Sequence, residues 1–452
     1  MSILTRFKAI IRKGWAVVTR LKRSAFIKNV LIVMSGTAVA QVLSYALSPV
    51  ISRLFSPADF GVFGEFTALL MVIGAGITMD FSLAIMLPKK KDEAFGLFVV
   101  SGLATIFISG LVLAVCVLFP SVIASTINSP QAWILALLVI GVLATGINQT
   151  CQAWCVRAKA FKQTSASQVV RSVATNGTQI ALGVAKGGAP ALIFASVLGE
   201  VLASLNLARI VLRDLRFFPM TVSWRRIREL AKEYKDFPLY SGTMNVINAI
   251  SLNMPVFLLT RYFGIELAGA YAFAMRILSA PMGLVQKALR QVLYQKACET
   301  QNAGGRLLPL FLKFTGGLFL MALGPALILG LWAPPLFSWI FGAQWRMAGV
   351  FAQSLVLWLA LVFSNLPAVL FSRVVRAQRQ MFLYDLVVLA LRTLALVAGG
   401  LYLTAASTVL LYALAGIVMN IVYIVIIYMI LKRREGHISW KDVLTDLKEG
   451  PA

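Results

Sequence analysis

The feature that most limits this chain is a recurring one: apolar runs of about twenty residues, separated by short polar punctuation. As a helix, such a run spans about 30 Å, the thickness of a bilayer's hydrocarbon core. In hydrocarbon each backbone N–H and C=O must find its partner inside the protein, so runs of this kind fold as helices. Candidate spans cover 29–52, 63–87, 95–119, 132–155, 166–186, 190–212, 238–260, 266–289, 308–332, 347–372, 380–402 and 406–431. Only 13% of the residues are charged, against about 25% in a soluble domain. The expected class is an all-α polytopic membrane protein with about 12 transmembrane helices.

Charge orients the spans. The chain has 42 Lys and Arg against 17 Asp and Glu, a net charge of +25. With the N-terminus placed in the cytoplasm, 33 of the 42 fall in inner segments and four (Arg53, Lys186, Arg261, Arg346) in outer loops. That asymmetry follows the positive-inside rule and survives only if the span count is even, with both termini cytoplasmic. The basic excess is therefore assigned to membrane topology, and nucleic acid is not an expected partner. The first 28 residues interleave apolar and basic side chains without an uninterrupted apolar core. They read as an amphipathic helix on an anionic leaflet rather than a signal peptide. Trp224, Ile227, Ala231 and Tyr234 fall on one face of a second amphipathic segment, and "ISWKDVLTDLKEG" suggests a third.

Two punctuation marks echo each other. "RLFSPADFGVF" at 53–63 and "RYFGIELAGAY" at 261–271 both run arginine, phenylalanine two on, glycine eight on and an aromatic ten on. Ser-Gly-Thr precedes each, at 35–37 and 241–243, and so does a proline, Pro49 or Pro255. Such an echo marks an internal repeat of six spans, and repeated halves of this kind in transporters handle substrate at their interface. The resulting organisation is a basic N-terminal segment (1–28), an N-lobe (29–212), a linker with an amphipathic helix (213–237), a C-lobe (238–431) and a cytoplasmic tail (432–452). Within the first mark, Ser56-Pro57-Ala58-Asp59 is a capping box opening span 2, and Gly61 allows close packing. Arg53 would close span 1 and meet outer-leaflet headgroups, or face the mouth of a cavity.

Chemistry motifs are sparse. The sequence has no phosphate-binding Gly-x4-Gly-Lys-Ser/Thr loop, no Gly-x-Ser-x-Gly and no His-Glu-x-x-His. Its single histidine, His437, cannot build a triad or a zinc site with the four scattered cysteines, which read as packing residues. No enzymatic activity, cofactor or metal is expected. What remains is polar groups inside the spans, each costly unless it meets protein or water. The cations are Arg171, Arg276, Lys313 and Arg392, with Arg209 near a span end; the anions are Asp80, Glu200 and Asp385. Asn148, Gln149 and Gln152 lie on span 4, and Arg171, Thr175, Asn176 and Gln179 share a face of span 5. Asp385 could pair with Arg373 or Arg376. Arg276 and Arg392 sit nearest mid-span, where a guanidinium suits an anion in a wet cavity.

"SGTAVAQVLSYALSPVISRLFSPADFGVF" at 35–63, "MLPKKKDEA" at 86–94, "YKDFPLYSG" at 234–242, "NMPVFLLTRYFG" at 253–264 and "AGAYAFAMRILSAPMGLVQKALRQVLYQKA" at 268–297 carry a resemblance. Together they resemble the polysaccharide-export flippases of the multidrug/oligosaccharidyl-lipid/polysaccharide (MOP) superfamily. The resemblance implies two six-helix lobes around a central cavity in the bacterial inner membrane. It also implies alternating access that carries an undecaprenyl-diphosphate-linked oligosaccharide across for O-antigen, capsule or exopolysaccharide assembly, with ion-gradient coupling. Arg276 matches the arginine of the family's A-x-R-x-x-x-x-P stretch, here Ala274 to Pro281. The expected substrate-binding residues are Arg276, Arg392, Arg171, Lys313, Asn176, Asn148 and Arg53, with Asp80 and Glu200 for ion coupling. The expected partners are the lipid-linked oligosaccharide, membrane lipids, and a polysaccharide polymerase and chain-length regulator. The alternative is a cation-coupled drug or metabolite exporter of the same superfamily; a third is a scaffold that transports nothing.

Overall fold

The computed structural model describes residues 25–127, 132–217, 222–302, 304–375 and 377–435; the surface helices expected before residue 25 and after residue 435 lie outside them. The described residues contain no strand and twelve long helices. They are α1 (Ala25–Leu54), α2 (Pro57–Gly76), α3 (Lys91–Leu118), α4 (Ala132–Arg157), α5 (Phe161–Val184) and α6 (Gly188–Phe217), then α7 (Thr243–Phe263), α8 (Ile265–Asn302), α9 (Leu307–Phe341), α10 (Arg346–Ser364), α11 (Gln378–Tyr402) and α12 (Ala405–Glu435). Ten helical segments are long and apolar enough to cross a membrane, and α1 adds a shorter apolar stretch, Ala38–Leu54. α5 is not among them, because its buried face is polar: Thr164, Ser165, Ser167, Ser172, Asn176 and Gln179. α8 and α9 run well past the apolar windows at 266–289 and 308–332. The expected tenth span is broken at Asn365 and resumes as Leu366–Val374.

Two ends of the bundle serve as references: the Arg53 face, where α1 gives way to α2, and the linker face opposite. At the Arg53 face the capping box is complete. Ser56 Oγ accepts from the Asp59 N–H at 3.2 Å, and the Ser56 N–H donates to Asp59 Oδ2 at 2.9 Å. The other Asp59 oxygen accepts from the Ala189 N–H at 2.8 Å, so one carboxylate serves the starts of both α2 and α6.

The halves meet along α2 and α8, and the repeat supplies the contact. Gly61 sits against the Ile265 carbonyl, and Gly269 sits against the Pro57 carbonyl and the Gly61 amide, so neither position has room for a Cβ. Pro57 and Ile265, like Gly61 and Gly269, are equivalent positions of the two copies, so the contact is reciprocal. A turn further along, a Cβ on Gly64 would lie 2.9 Å from that of its counterpart Ala272. Association of helices in lipid relies on this close backbone approach, because hydrocarbon offers no hydrophobic drive. Around the contact, Phe60 and Phe273 lie edge to face at 5.2 Å, and Trp345 packs on Phe273 at 4.0 Å and on Phe60 at 5.1 Å.

The Arg53 face is closed by exchanged caps. The last carbonyls of a helix have no partner within it. Those of α1 receive Gln344 Nε2 on Ser52 O at 2.8 Å and on Phe55 O at 3.1 Å, and Trp345 Nε1 on Ser52 O at 2.8 Å. In return Ser52 Oγ donates to Phe341 O at the end of α9 at 3.1 Å. Prolines inside helices free further carbonyls. Pro334 leaves Gly330 O without its helical donor, and Gln353 of α10 supplies one at 2.6 Å.

The linker helix, Trp224–Glu233, is amphipathic as expected, but its buried residues are Ile227 and Leu230, and Trp224 is exposed. Gly96 on α3 sets that register, since its bare Cα forms the socket for Leu230. Arg226 bridges to Glu93 of α3 at 3.0 Å and to Glu229 at 3.3 Å, and it holds the Glu229 carboxyl below its ordinary value, with help from Arg225.

Substituting Gly269 by valine inserts three carbons into the tightest crossing of the halves. Overpacking of this kind costs about 1–3 kcal/mol or more. A thermal melt in detergent therefore shows a clear drop for Gly269→Val and almost none for Gly283→Ala, whose Cβ would meet nothing within 4 Å. Equal melts for the two variants would refute the close approach.

Candidate functional site

Arg276 lies on α8 one turn before Pro281. Pro281 has no N–H, so the carbonyl of Ile277 loses its helical donor. Tyr45 of α1 replaces it across the halves: its hydroxyl donates to Ile277 O at 2.9 Å and approaches Arg276 O at 3.3 Å. The partly buried Arg276 guanidinium lies 5.9 Å from the Phe60 ring centroid and has no carboxylate within ion-pair distance among the described residues. A positive charge thus sits at the seam, beside α1 and α2 and one turn from the proline of α8.

The N-lobe side of the seam is a hydrogen-bonded strip. Next to Tyr45, Ser44 Oγ lies 3.0 Å from Ser172 Oγ of α5, and Asn176 Nδ2 donates to Ser44 Oγ at 2.8 Å and to Ser172 O at 2.7 Å. Asn176 Oδ1 and both amide atoms of Gln179 are buried without partners among the described residues. Arg171, one residue before Ser172, pairs with Glu200 of α6 at 2.5 Å; the Arg171 side chain is 46% exposed and that of Glu200 5%. A residue expected to meet substrate and one expected to couple ions therefore neutralise each other here.

Arg392 is in a different situation. It is 7% exposed, with its guanidinium carbon 4.8 Å from the Trp358 ring centroid and 5.5 Å from that of Tyr412. Each cation–π contact is worth about 0.5–2 kcal/mol. Burying an ion costs several kcal/mol even after relaxation, so the rings alone leave a deficit. Among the described residues, buried Arg392 Nε and Trp358 Nε1 have no hydrogen-bond partner, and the buried hydroxyls of Tyr271 and Tyr412 face only each other. Asp385, two turns back on α11, is exposed and makes no ion pair with Arg373; Arg376 lies outside the described residues.

The other expected site residues are dispersed. Asp80 is buried, has a left-handed backbone (φ 57°) and accepts from Asn245 Nδ2 of α7 at 2.8 Å, which ties the halves together near the linker face. Asn148 is 4% exposed with Nδ2 unpartnered. Lys313 is exposed, six residues into α9. Arg53 is exposed, and its guanidinium reaches the Trp339 and Ile340 carbonyls at 3.5 Å, a capping position on α9. Reading the sequence missed Tyr45, whose role depends on a proline over 200 residues away. It also missed Glu65, an acid 1% exposed inside α2 that is engaged with neighbouring groups. The signal for Glu65 was available: it is the other acid besides Asp80 in the run 63–87.

Twelve long helices in two repeated halves, a reciprocal seam and charges beside it define a helical membrane protein with internal duplication. The chain belongs to the family described as polysaccharide biosynthesis protein, whose model matches residues 50–350. No curated protein sequence matches it. Its fold is that of MOP-superfamily transporters. A multidrug resistance MATE family transporter in an inward-facing conformation superposes with a TM-score of 0.67 at 13% identity, over 91% of this chain and 96% of that one. The lipid II flippase MurJ in an inward closed conformation gives 0.68 at 13% identity, over 91% and 90%. A MOP-superfamily transporter from Pyrococcus furiosus, whose binding pocket has reversed polarity, gives 0.61 at 16% identity, over 90% and 95%.

Removing one partner of the Arg171–Glu200 pair leaves a charge stranded. Breaking a fully buried pair costs about 3–5 kcal/mol, and the exposure of Arg171 lowers that to about 2 kcal/mol. Arg171→Leu is expected to lower the melting temperature, and adding Glu200→Leu to restore most of the loss. Additive losses in the double variant would show that the two side chains are not coupled.

Proposed function

We propose that this protein is a flippase that carries a polyprenyl-diphosphate-linked oligosaccharide, of the undecaprenyl type, from the cytoplasmic to the outer leaflet of a bacterial inner membrane. O-antigen, capsule or exopolysaccharide assembly would follow. The observation that carries the reading is Arg276: a guanidinium at the seam of a duplicated membrane fold, beside a polar strip and with no carboxylate in ion-pair distance among the described residues. A diphosphate supplies the missing anion, and guanidinium binds it through a planar fork. Membership of a polysaccharide biosynthesis family supports a lipid-linked sugar as cargo.

In this reading the Arg53 face is the outer one and the linker face cytoplasmic, with both termini inside, and the charge count supports that orientation. The exchanged caps of α1 and α9 close the outer face in this conformation, so cargo would be loaded from the linker side. Lys313, exposed on the linker half of α9, would draw the headgroup in; Asn148 and Asn176 offer amides to sugar hydroxyls. Arg171 is available to an anion once Glu200 is protonated or otherwise engaged, and this gives ion-gradient coupling a physical route. Asp80 would contribute by holding or releasing Asn245. Loss of the outer caps, in which Arg53 takes part, is the opening step on the far side.

In a strain lacking this protein, lipid-linked repeat units are expected to accumulate on the cytoplasmic leaflet while surface polysaccharide falls. Normal surface polysaccharide together with altered drug tolerance would favour the exporter alternative, which shares this fold. Losing a hydrogen bond to a charged group costs about 1.5–3 kcal/mol, so Arg276→Ala should reduce export about 10- to 100-fold. Arg276→Lys, which keeps the charge and loses the fork, should fall between. Wild-type export by both variants would remove Arg276 from the mechanism.

A further inference from the structure

The reading above leaves the chemistry around Arg392 unused. Four helices converge there: Tyr271 from α8, Trp358 from α10, Arg392 from α11 and Tyr412 from α12. All four side chains are more than nine-tenths buried, at 2%, 2%, 7% and 1% exposure. Arg392 Nε and Trp358 Nε1 can only donate and meet no acceptor among the described residues. The Tyr271 and Tyr412 hydroxyls face each other, so the pair leaves one O–H hydrogen for a third group. Among the described residues the cluster has one full positive charge and no carboxylate within ion-pair distance.

We propose that this cluster is an anion site within the C-lobe, built for a single monovalent halide. Donors without acceptors beside a guanidinium select an anion over a cation. Asp385 acts on Arg392 from beyond ion-pair distance, on the exposed side of α11, so the donors face a single guanidinium charge, which suits a monovalent ion. Trp358 and Tyr412 stand edge to face at 5.4 Å, with the guanidinium carbon 4.8 and 5.5 Å from their centroids, so an ion entering this wall of rings must shed its water. A halide also loses its hydration more readily than a phosphate. The site is separate from Arg276, where the cargo diphosphate is placed, and does not depend on the flippase reading. Bound there, the ion would neutralise Arg392 and tie α8, which carries Arg276, to α10, α11 and α12.

The test uses the purified full-length protein in detergent at fixed ionic strength, with gluconate replaced stepwise by chloride or bromide while the melting temperature is read. A saturable rise with either halide is expected. Tyr412→Phe keeps its ring and removes a donor, and Trp358→Phe replaces the indole by a smaller ring without an N–H; each should weaken the apparent Kd about five- to tenfold. Arg392→Gln should abolish the response, and if that variant does not fold, the two aromatic variants decide. A melting temperature indifferent to halide overturns the site, as does a response that both aromatic variants retain in full. An equal or larger rise with inorganic phosphate overturns the halide assignment. Lipid-linked oligosaccharide takes no part in the measurement, so failure of this proposal and failure of the flippase reading are told apart.

Discussion

The rest of the fold depends on the reciprocal approach of α2 and α8, in which Gly61 and Gly269 each pack against a backbone carbonyl of the other copy. Two helices that touch backbone to backbone over one turn have little freedom in angle or register. Phe60 and Phe273, each next to that crossing, are thereby brought edge to face, and Trp345 is left to fill the remaining space above them. Trp345 then reaches Ser52 and caps α1, so the closed Arg53 face depends on the same crossing. A duplicated chain arrives at such a contact readily: a surface that fits its own copy is needed only once in evolution and appears twice in the sequence.

The duplication is also where symmetry stops. Arg53 and Arg261 are equivalent in sequence, and each stands in the last turn of its helix. Arg53 leans on the carbonyl end of α9, while the Arg261 side chain makes no hydrogen bond or ion pair among the described residues. The prolines divide similarly. Pro281 lies within α8 beside the seam and hands the Ile277 carbonyl to Tyr45, so a missing N–H in one half creates a bond to the other.

Much of this was legible before any coordinates. Hydropathy marks the spans because lipid punishes every unpaired backbone group, and the punishment is written residue by residue. The capping box and the spacing of Gly61 were legible for the same reason: both obey local rules. Span ends were less so. α8 continues to Asn302 and α9 to Phe341 because a helix may leave the membrane without any change of backbone, so hydropathy alone does not mark its end. The pairing of Arg171 with Glu200 was out of reach, since spacing along a helix says which face a residue shares and nothing about which neighbour covers that face. The linker helix shows the same limit: its period was right, but the choice of Leu230 over Trp224 as the buried residue was made by Gly96 on another helix.

Arg276 and Arg392 show how far the same residue type can diverge. From sequence they were equals, two guanidiniums near mid-span with the same expected ligand. The fold gives Arg276 a partly buried place at the seam, within reach of both lobes. It gives Arg392 a closed place inside one lobe, lined by aromatic rings and donors. A charge at a seam takes its neighbours from both halves; a charge inside one lobe takes them from that lobe alone. The difference lies in which helices enclose each arginine, so the cost of each charge, and therefore its use, is decided by tertiary packing.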